Sequence, residues 1–165
     1  KDVEQLRKYA SELKKAKTKD ASGSYTFDST QLETMDCSEI RRAICELAKG
    51  CVNNVPYKWG ASSLDKSIGT DCSGFTKALY AQFGIDLPRK SYTQGQNGVK
   101  VSREAARPGD LMVWNHKPGD DTGHVAIYIG NGMAIHAPGR GKFVTYKQGE
   151  DSGGKQFLGY YSFFD

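Results

Sequence analysis

The chain has 165 residues, a net charge of +4, 38% hydrophobic residues and 25% charged residues. That length suits one domain with a small extension, and the mixed composition excludes a disordered chain. No apolar run approaches the roughly 20 residues of a membrane span, and no base-stacking or recognition-helix pattern supports nucleic-acid binding.

The chain opens at Lys1 without a visible signal peptide and reads as a mature or trimmed piece. Residues Lys1 to Lys19 predict a helix, with Val3, Leu6, Ala10 and Leu13 at a/d spacing. Its Lys14, Lys15, Lys17 and Lys19 read as a solvated face. Ala21 to Thr30 is a linker by composition. A second helix is expected from Ser38 to Gly50, with the apolar stripe Ile40, Ala43, Ile44, Leu47 and Ala48. Such a helix would hold Cys37 and Cys51 about 18–20 Å apart, beyond the reach of a disulfide. Cys37, Cys45 and Cys51 are therefore expected to be free and mostly buried thiols.

A loop containing Trp59-Gly60 leads to Asp71-Cys72-Ser73-Gly74, and a third helix follows. There Phe75, Ala78, Leu79 and Phe83 recur at helical spacing and Gly84 closes the run. Cys72 thus opens a helix, where unpaired N–H groups stabilise an anion and acidify a thiol. Asp71 opposes that effect, so a nearby base is needed. Past the loop Leu87 to Ser91 the pattern turns strand-like. Short β-rich runs are expected at Val99–Val101, Leu111–Trp114, His124–Ile129, Met133–His136, Phe143–Tyr146 and Phe157–Phe163. Helices followed by an antiparallel sheet give an α+β fold. Asp120 and Asp121, in the polar loop 115–123, supply too few ligands for calcium.

The base is sought on the hairpin His124–His136. Alternation puts Val125, Ile127 and Ile129 on one face, and His124, Ala126 and Tyr128 on the other. A strict two-residue turn sends His136 to the wrong face. A three-residue turn through Gly130-Asn131-Gly132 with a glycine bulge brings it beside His124. Cys72 as nucleophile, His124 as base and His136 as orienter then form a thiol-enzyme set. Two histidines and a cysteine could also ligate zinc, but a fourth group and the usual tight spacing are missing. No metal or other cofactor is called for. His116 reads as exposed.

Six pieces, in order, are similar to the NlpC-type family of papain-like peptidoglycan cysteine peptidases. They are Pro56–Gly60, Asp71–Phe75, Leu87–Ser91, Pro108–Leu111, His124–Gly132 and Ile135–Ala137. The resemblance runs from about residue 38 to the C-terminus. It implies a papain-like α+β fold, with Cys72 opening the central helix and a sheet of about five to six strands. It implies a hydrolase that is secreted, wall-associated or released by a phage or mobile element, acting on peptidoglycan stem peptides, usually between γ-D-glutamate and a diamino acid. It gives Cys72, His124 and His136 catalytic roles. Tyr57 becomes an oxyanion partner beside the Cys72 N–H, and Asp71, Ser73 and Ser91 contact the substrate's amino-terminal side, with Asp71 suited to an ammonium. Arg89 supports the loop. The chain departs from the family pattern where Ala61 follows Gly60 and in a longer stretch 61–70. Residues 1–37 form an extension outside the pattern, a groove wall or a link to upstream domains, and 38–165 the peptidase domain. An N-acetylmuramoyl-L-alanine amidase, an acyltransferase and an idle wall-binding module are the alternatives.

Overall fold

The structure is a computed structural model that describes residues 37–118 and 122–164. The expected helix over residues 1–19, the linker after it and Asp120–Asp121 lie outside the described residues. Helix α1, Cys37–Cys51, buries Ile40, Ile44, Leu47, Ala48 and Cys51 along one stripe. Glu39 in its first turn and Lys49 in its last match the helix dipole. Helix α2, Cys72–Ala81, starts at the expected residue. Phe83 lies just beyond it, fully buried, and Gly84 takes φ 79° to end the turn. None of the described helices is long and apolar enough to cross a membrane.

Six strands make one sheet: β1 Val99–Val101, β2 Leu111–Asn115, β3 His124–Gly130, β4 Met133–His136, β5 Thr145–Gln148 and β6 Gln156–Ser162. Their order is β1-β6-β2-β3-β4-β5, and the pairings are antiparallel. Only the fifth strand departs clearly from its expected limits. Phe143 is bridged to Pro56, and Val144 exchanges backbone hydrogen bonds with Asn53 and Val55. That short pairing takes residues 143 and 144 away from β4, so β5 begins at Thr145.

The sheet is apolar on both faces. Leu111, Val113, Val125, Ile127 and Ile135 pack with the helix residues Ile40, Ile44, Phe75 and Leu79. Met112, Trp114, Ala126, Tyr128, Ala134 and Tyr160 form a second cluster on the opposite face. The segment between β5 and β6 closes over that cluster. Trp114 Nε1 donates to the Glu150 carbonyl at 2.7 Å, Tyr160 Oη donates to the Glu150 carboxylate at 2.7 Å, and Arg103 holds that carboxylate from outside.

The β3–β4 hairpin reaches the expected parity by another route. Tyr128 opposes Ala134 and Ile127 opposes Ile135, yet Gly130 opposes Met133. The turn is thus a two-residue Asn131-Gly132 connection, with φ 55° and 75°, the left-handed values a tight hairpin turn demands. The extra residue is Ile129, bulged inside β3. This bulge, rather than a longer turn, returns His136 to the face of His124.

The four cysteines are free. Cys45 and Cys51 are buried, and burial raises their thiols to about 11 and about 12. These two are inert packing groups.

Candidate active site

Asp71 is the N-cap of α2. Its backbone is extended, at φ −93° and ψ −175°, and its Oδ1 accepts from the Gly74 N–H at 2.8 Å. Its Oδ2 accepts from the Gly60 N–H and from Arg89 Nη2, each at 2.9 Å. Arg89 also donates to Ser73 Oγ at 2.5 Å. The carboxylate expected to await a substrate ammonium is therefore already matched by a cation and two amides. Its capping role was legible, because aspartate directly before an apolar-periodic run is a helix-start signal.

Gly74 lets the preceding loop lie against α2. A Cβ there would fall 2.1 Å from the Ala61 carbonyl oxygen and 2.8 Å from Ser62 Cα. Ser62 Oγ donates to the Gly74 carbonyl. Gln94, which no sequence signal marked, donates to the Ser73 and Pro88 carbonyls and is bonded to Thr76. It locks the loop carrying Arg89 and Ser91 to the first turn of α2.

These segments enclose a groove of about 470 Å³. Cys72, Asp71, Ser73, Arg89 and Ser91 line it, and Trp59 stands at its wall with 59% of its surface exposed. Tyr57 is close enough to feel the charges of Cys72 and Asp71. Burial first, then those two charges, raise its hydroxyl above the usual value, so it stays a donor.

Cys72 faces the backbone of β3, where the Val125 N–H donates to its sulfur. The next residue back is His124, 7% exposed. His124 Nε2 lies 2.7 Å from His136 Nδ1, with the rings edge to face. The two imidazoles are paired, and the sulfur sits one residue along the strand from the first of them. Among the described residues no hydrogen bond joins the sulfur to either imidazole. Catalytic contacts are often loose before substrate binds.

Protonation in the free chain follows burial. Burial, then the Asp71 charge, push the Cys72 thiol up to about 11, against the lowering effect of the Val125 and Ser73 amides and Arg89. The helix end alone does not acidify it. Burial, then the neighbouring His136, bring His124 down to about 3, and burial, then Lys147, bring His136 down to about 4. The free site holds a neutral thiol beside neutral imidazoles.

A stability prediction follows. Both histidines bind protons more weakly when folded than at their usual 6.5, so the unfolded chain takes up protons first. Their contribution is complete above pH 6.5 and is lost as the pH falls through the window towards 4. Each imidazole adds a slope of up to about 1.4 kcal/mol per pH unit. Urea unfolding at pH 4.5, 5.5 and 6.5 reads this slope, and His124→Gln should flatten it. An unchanged slope in the variant would remove the imidazole from the account.

His116 is exposed, edge-on to the Tyr92 ring at 6.1 Å. Among the described residues no group of three His, Cys, Asp or Glu side chains could hold a metal ion.

Residues 54–159 match the model of the NlpC/P60 family. The chain belongs to the NlpC/P60 family. It is 45% identical over 85 residues to a gamma-D-glutamyl-L-lysine dipeptidyl-peptidase of Bacillus cereus, covering 51% of this chain and 25% of that protein. It is 42% identical over 102 residues to a probable endopeptidase p60 of Listeria seeligeri, covering 62% of this chain and 18% of the relative. The chain thus spans a quarter or less of these curated relatives. Among solved structures, the NlpC/p60 domain of the peptidoglycan hydrolase SagA superposes with a TM-score of 0.60 at 34% identity, over 74% of this chain and 97% of that one. An NlpC/P60 family protein from Bacillus cereus gives 0.64 at 33% identity, over 74% and 40%. The α+β papain-like architecture expected from the sequence is that of these NlpC/P60 neighbours.

Proposed function

We propose that this NlpC/P60 domain is a cysteine endopeptidase that hydrolyses peptidoglycan stem peptides at the bond between γ-D-glutamate and a diamino acid. The observation that carries the reading is a helix-opening cysteine in the groove that lies against β3 at Val125, next along the strand from a hydrogen-bonded histidine pair. The relatives named for γ-D-glutamyl and endopeptidase activity support the choice of bond. A substrate of this kind places the work outside the cytoplasmic membrane.

In this mechanism Cys72 Sγ attacks the scissile carbonyl carbon while His124 Nδ1 takes the thiol proton. His124 Nε2–H donates to His136 Nδ1 throughout, which fixes the tautomer that leaves Nδ1 free and spreads the imidazolium charge. The oxyanion is met by the Cys72 N–H, at a helix position with no intrahelical partner, and by the Tyr57 hydroxyl. The C–N bond breaks as His124 returns the proton to the leaving amine. Water, deprotonated by His124, then attacks the thioester and releases the carboxylate and the thiol. Ser73 and Ser91 offer hydroxyls to the acyl side of the groove. Asp71 meets an amine there only as half of its pair with Arg89.

Mass spectrometry of muropeptides of defined composition tests the assignment. The expected products carry a new γ-D-glutamyl carboxylate and a new amine on the diamino acid. Release of L-alanine from muramic acid would instead favour an amidase, and transfer to an added amine an acyltransferase. No cleavage, with Cys72 no more reactive towards a thiol probe than the other cysteines, would make the chain an idle wall-binding module.

A further inference from the structure

The face of the sheet behind the histidines carries a cation that the mechanism above does not use. Lys147 lies on β5 opposite Ala134, which in turn opposes Tyr128, so its side chain shares the face of His124 and His136. Alanine at 134 leaves room for the stem to cross. The ammonium stands 5.2 Å from the centroid of the Trp114 ring and donates to the Asp151 carbonyl. Trp114 is fully buried and lies 5.5 Å, centroid to centroid, from the His124 ring. Its indole is pinned by the Glu150 carbonyl. A positive charge is thus held by a ring face and a backbone dipole, one aromatic layer behind the imidazole pair.

We propose that Lys147 is a positioning residue whose charge, seated behind the histidine pair, adds to the effect of burial in holding the pair as a neutral base. The proposal rests on the endopeptidase reading above. The charge disfavours imidazolium on both rings, and it stands among the causes that lower each histidine. The other groups facing the pair are few. Lys155, before β6, donates to the Thr122 carbonyl and also faces His124, while the exposed Lys142 faces His136. Asp71 and Cys72 stand at the α2 end, the first neutralised by Arg89 and the second an uncharged thiol. Glu150 lies in the covering segment with its carboxylate held by Arg103 and Tyr160. Lys147 is the one of these cations seated on the ring that touches His124.

The test compares wild type, Lys147→Met and Lys147→Arg with L-alanyl-γ-D-glutamyl-L-lysine as substrate. The kcat/KM profile is followed from pH 3 to 9, beside ring ¹⁵N shifts of the histidines. Without the charge, protonation of the pair becomes easier. In Lys147→Met the acid limb should move a few tenths of a unit to higher pH, with KM little changed, and the histidine titrations should move the same way. Lys147→Arg should restore both. A merely structural role would lower rate or stability while leaving the acid limb in place, and that result would overturn the proposal. Should Lys147→Met fail to fold, Lys147→Gln carries the same comparison. If wild type cleaves neither this peptide nor its diaminopimelate counterpart, the endopeptidase reading falls, and the ¹⁵N titration alone decides whether Lys147 acts on the protonation of the pair.

Discussion

Replacing Cys72 with alanine should reduce stem-peptide hydrolysis by at least about 10⁴-fold while leaving the fold intact. The side chain is small, and its removal costs only the weak contact of the Val125 amide with the sulfur. The chemistry, in contrast, has no second nucleophile. Losing the attacking atom of a cooperating set costs about as much as losing the whole set. His136→Ala should act differently. It removes the hydrogen-bond partner of His124 Nε2 and leaves the ring free to turn or to take the wrong tautomer. A loss of about 10²-fold in kcat is expected, with a stability cost of about 1–3 kcal/mol for the orphaned buried donor. Single-turnover rates and urea melts of both variants separate these effects. Wild-type-like lysis by Cys72→Ala would end the thiol mechanism. An unaltered rate in His136→Ala, at equal unfolding midpoints, would deny His136 its orienting role.

The second large effect concerns stability. Arg41→Met should destabilise the chain by about 3–5 kcal/mol, a large part of the roughly 5–15 kcal/mol available to a domain. Arg41 is 5% exposed and Asp110 1% exposed, and they meet at 2.7 Å. The guanidinium also donates to the Pro108 carbonyl, to Ser162 Oγ and to the Phe164 carbonyl. It fastens α1 to the start of β2 and to the end of the chain, under the Phe164 ring. Methionine would fill much of the volume but leave a carboxylate buried without its cation. The paired change Arg41→Met with Asp110→Asn removes both charges and should recover much of the loss. Urea unfolding of the single and double variants measures this. Equal destabilisation in both would show that packing, not the unpaired charge, accounts for the cost.

Much of the site's frame could be read from the residues, because it depends on local pattern. The helix opened by Cys72 follows from apolar spacing and a closing glycine. The strands of the hairpin follow from alternation, and the side-by-side histidines from a parity argument. What escaped was non-local. The start of β5 moved because Val144 is claimed by Asn53 and Val55, some ninety residues earlier. The bulge sits at Ile129, since an Asn-Gly pair forms the tighter turn and the surplus residue must go elsewhere. The charge of Asp71 is shared with Arg89, eighteen residues on. No pattern in the sequence singles out Lys147, because its seat against Trp114 depends on the order of the strands.

Ile129 has a consequence for which sequence changes this hairpin can absorb. One surplus residue in β3 keeps two rings in phase across the turn. Removing it alone would erase the bulge and still leave Gly130 opposite Met133 and Tyr128 opposite Ala134, so His136 would keep its place beside Ala126. Flattening the bulge with Ile129 retained would instead slide β4 by one step, carry Ile135 into the histidines' layer and drive His136 towards the helices. Loss of the isoleucine should therefore be survivable where straightening the strand around it is not: the spare position can be discarded, but it cannot be drawn into the ladder.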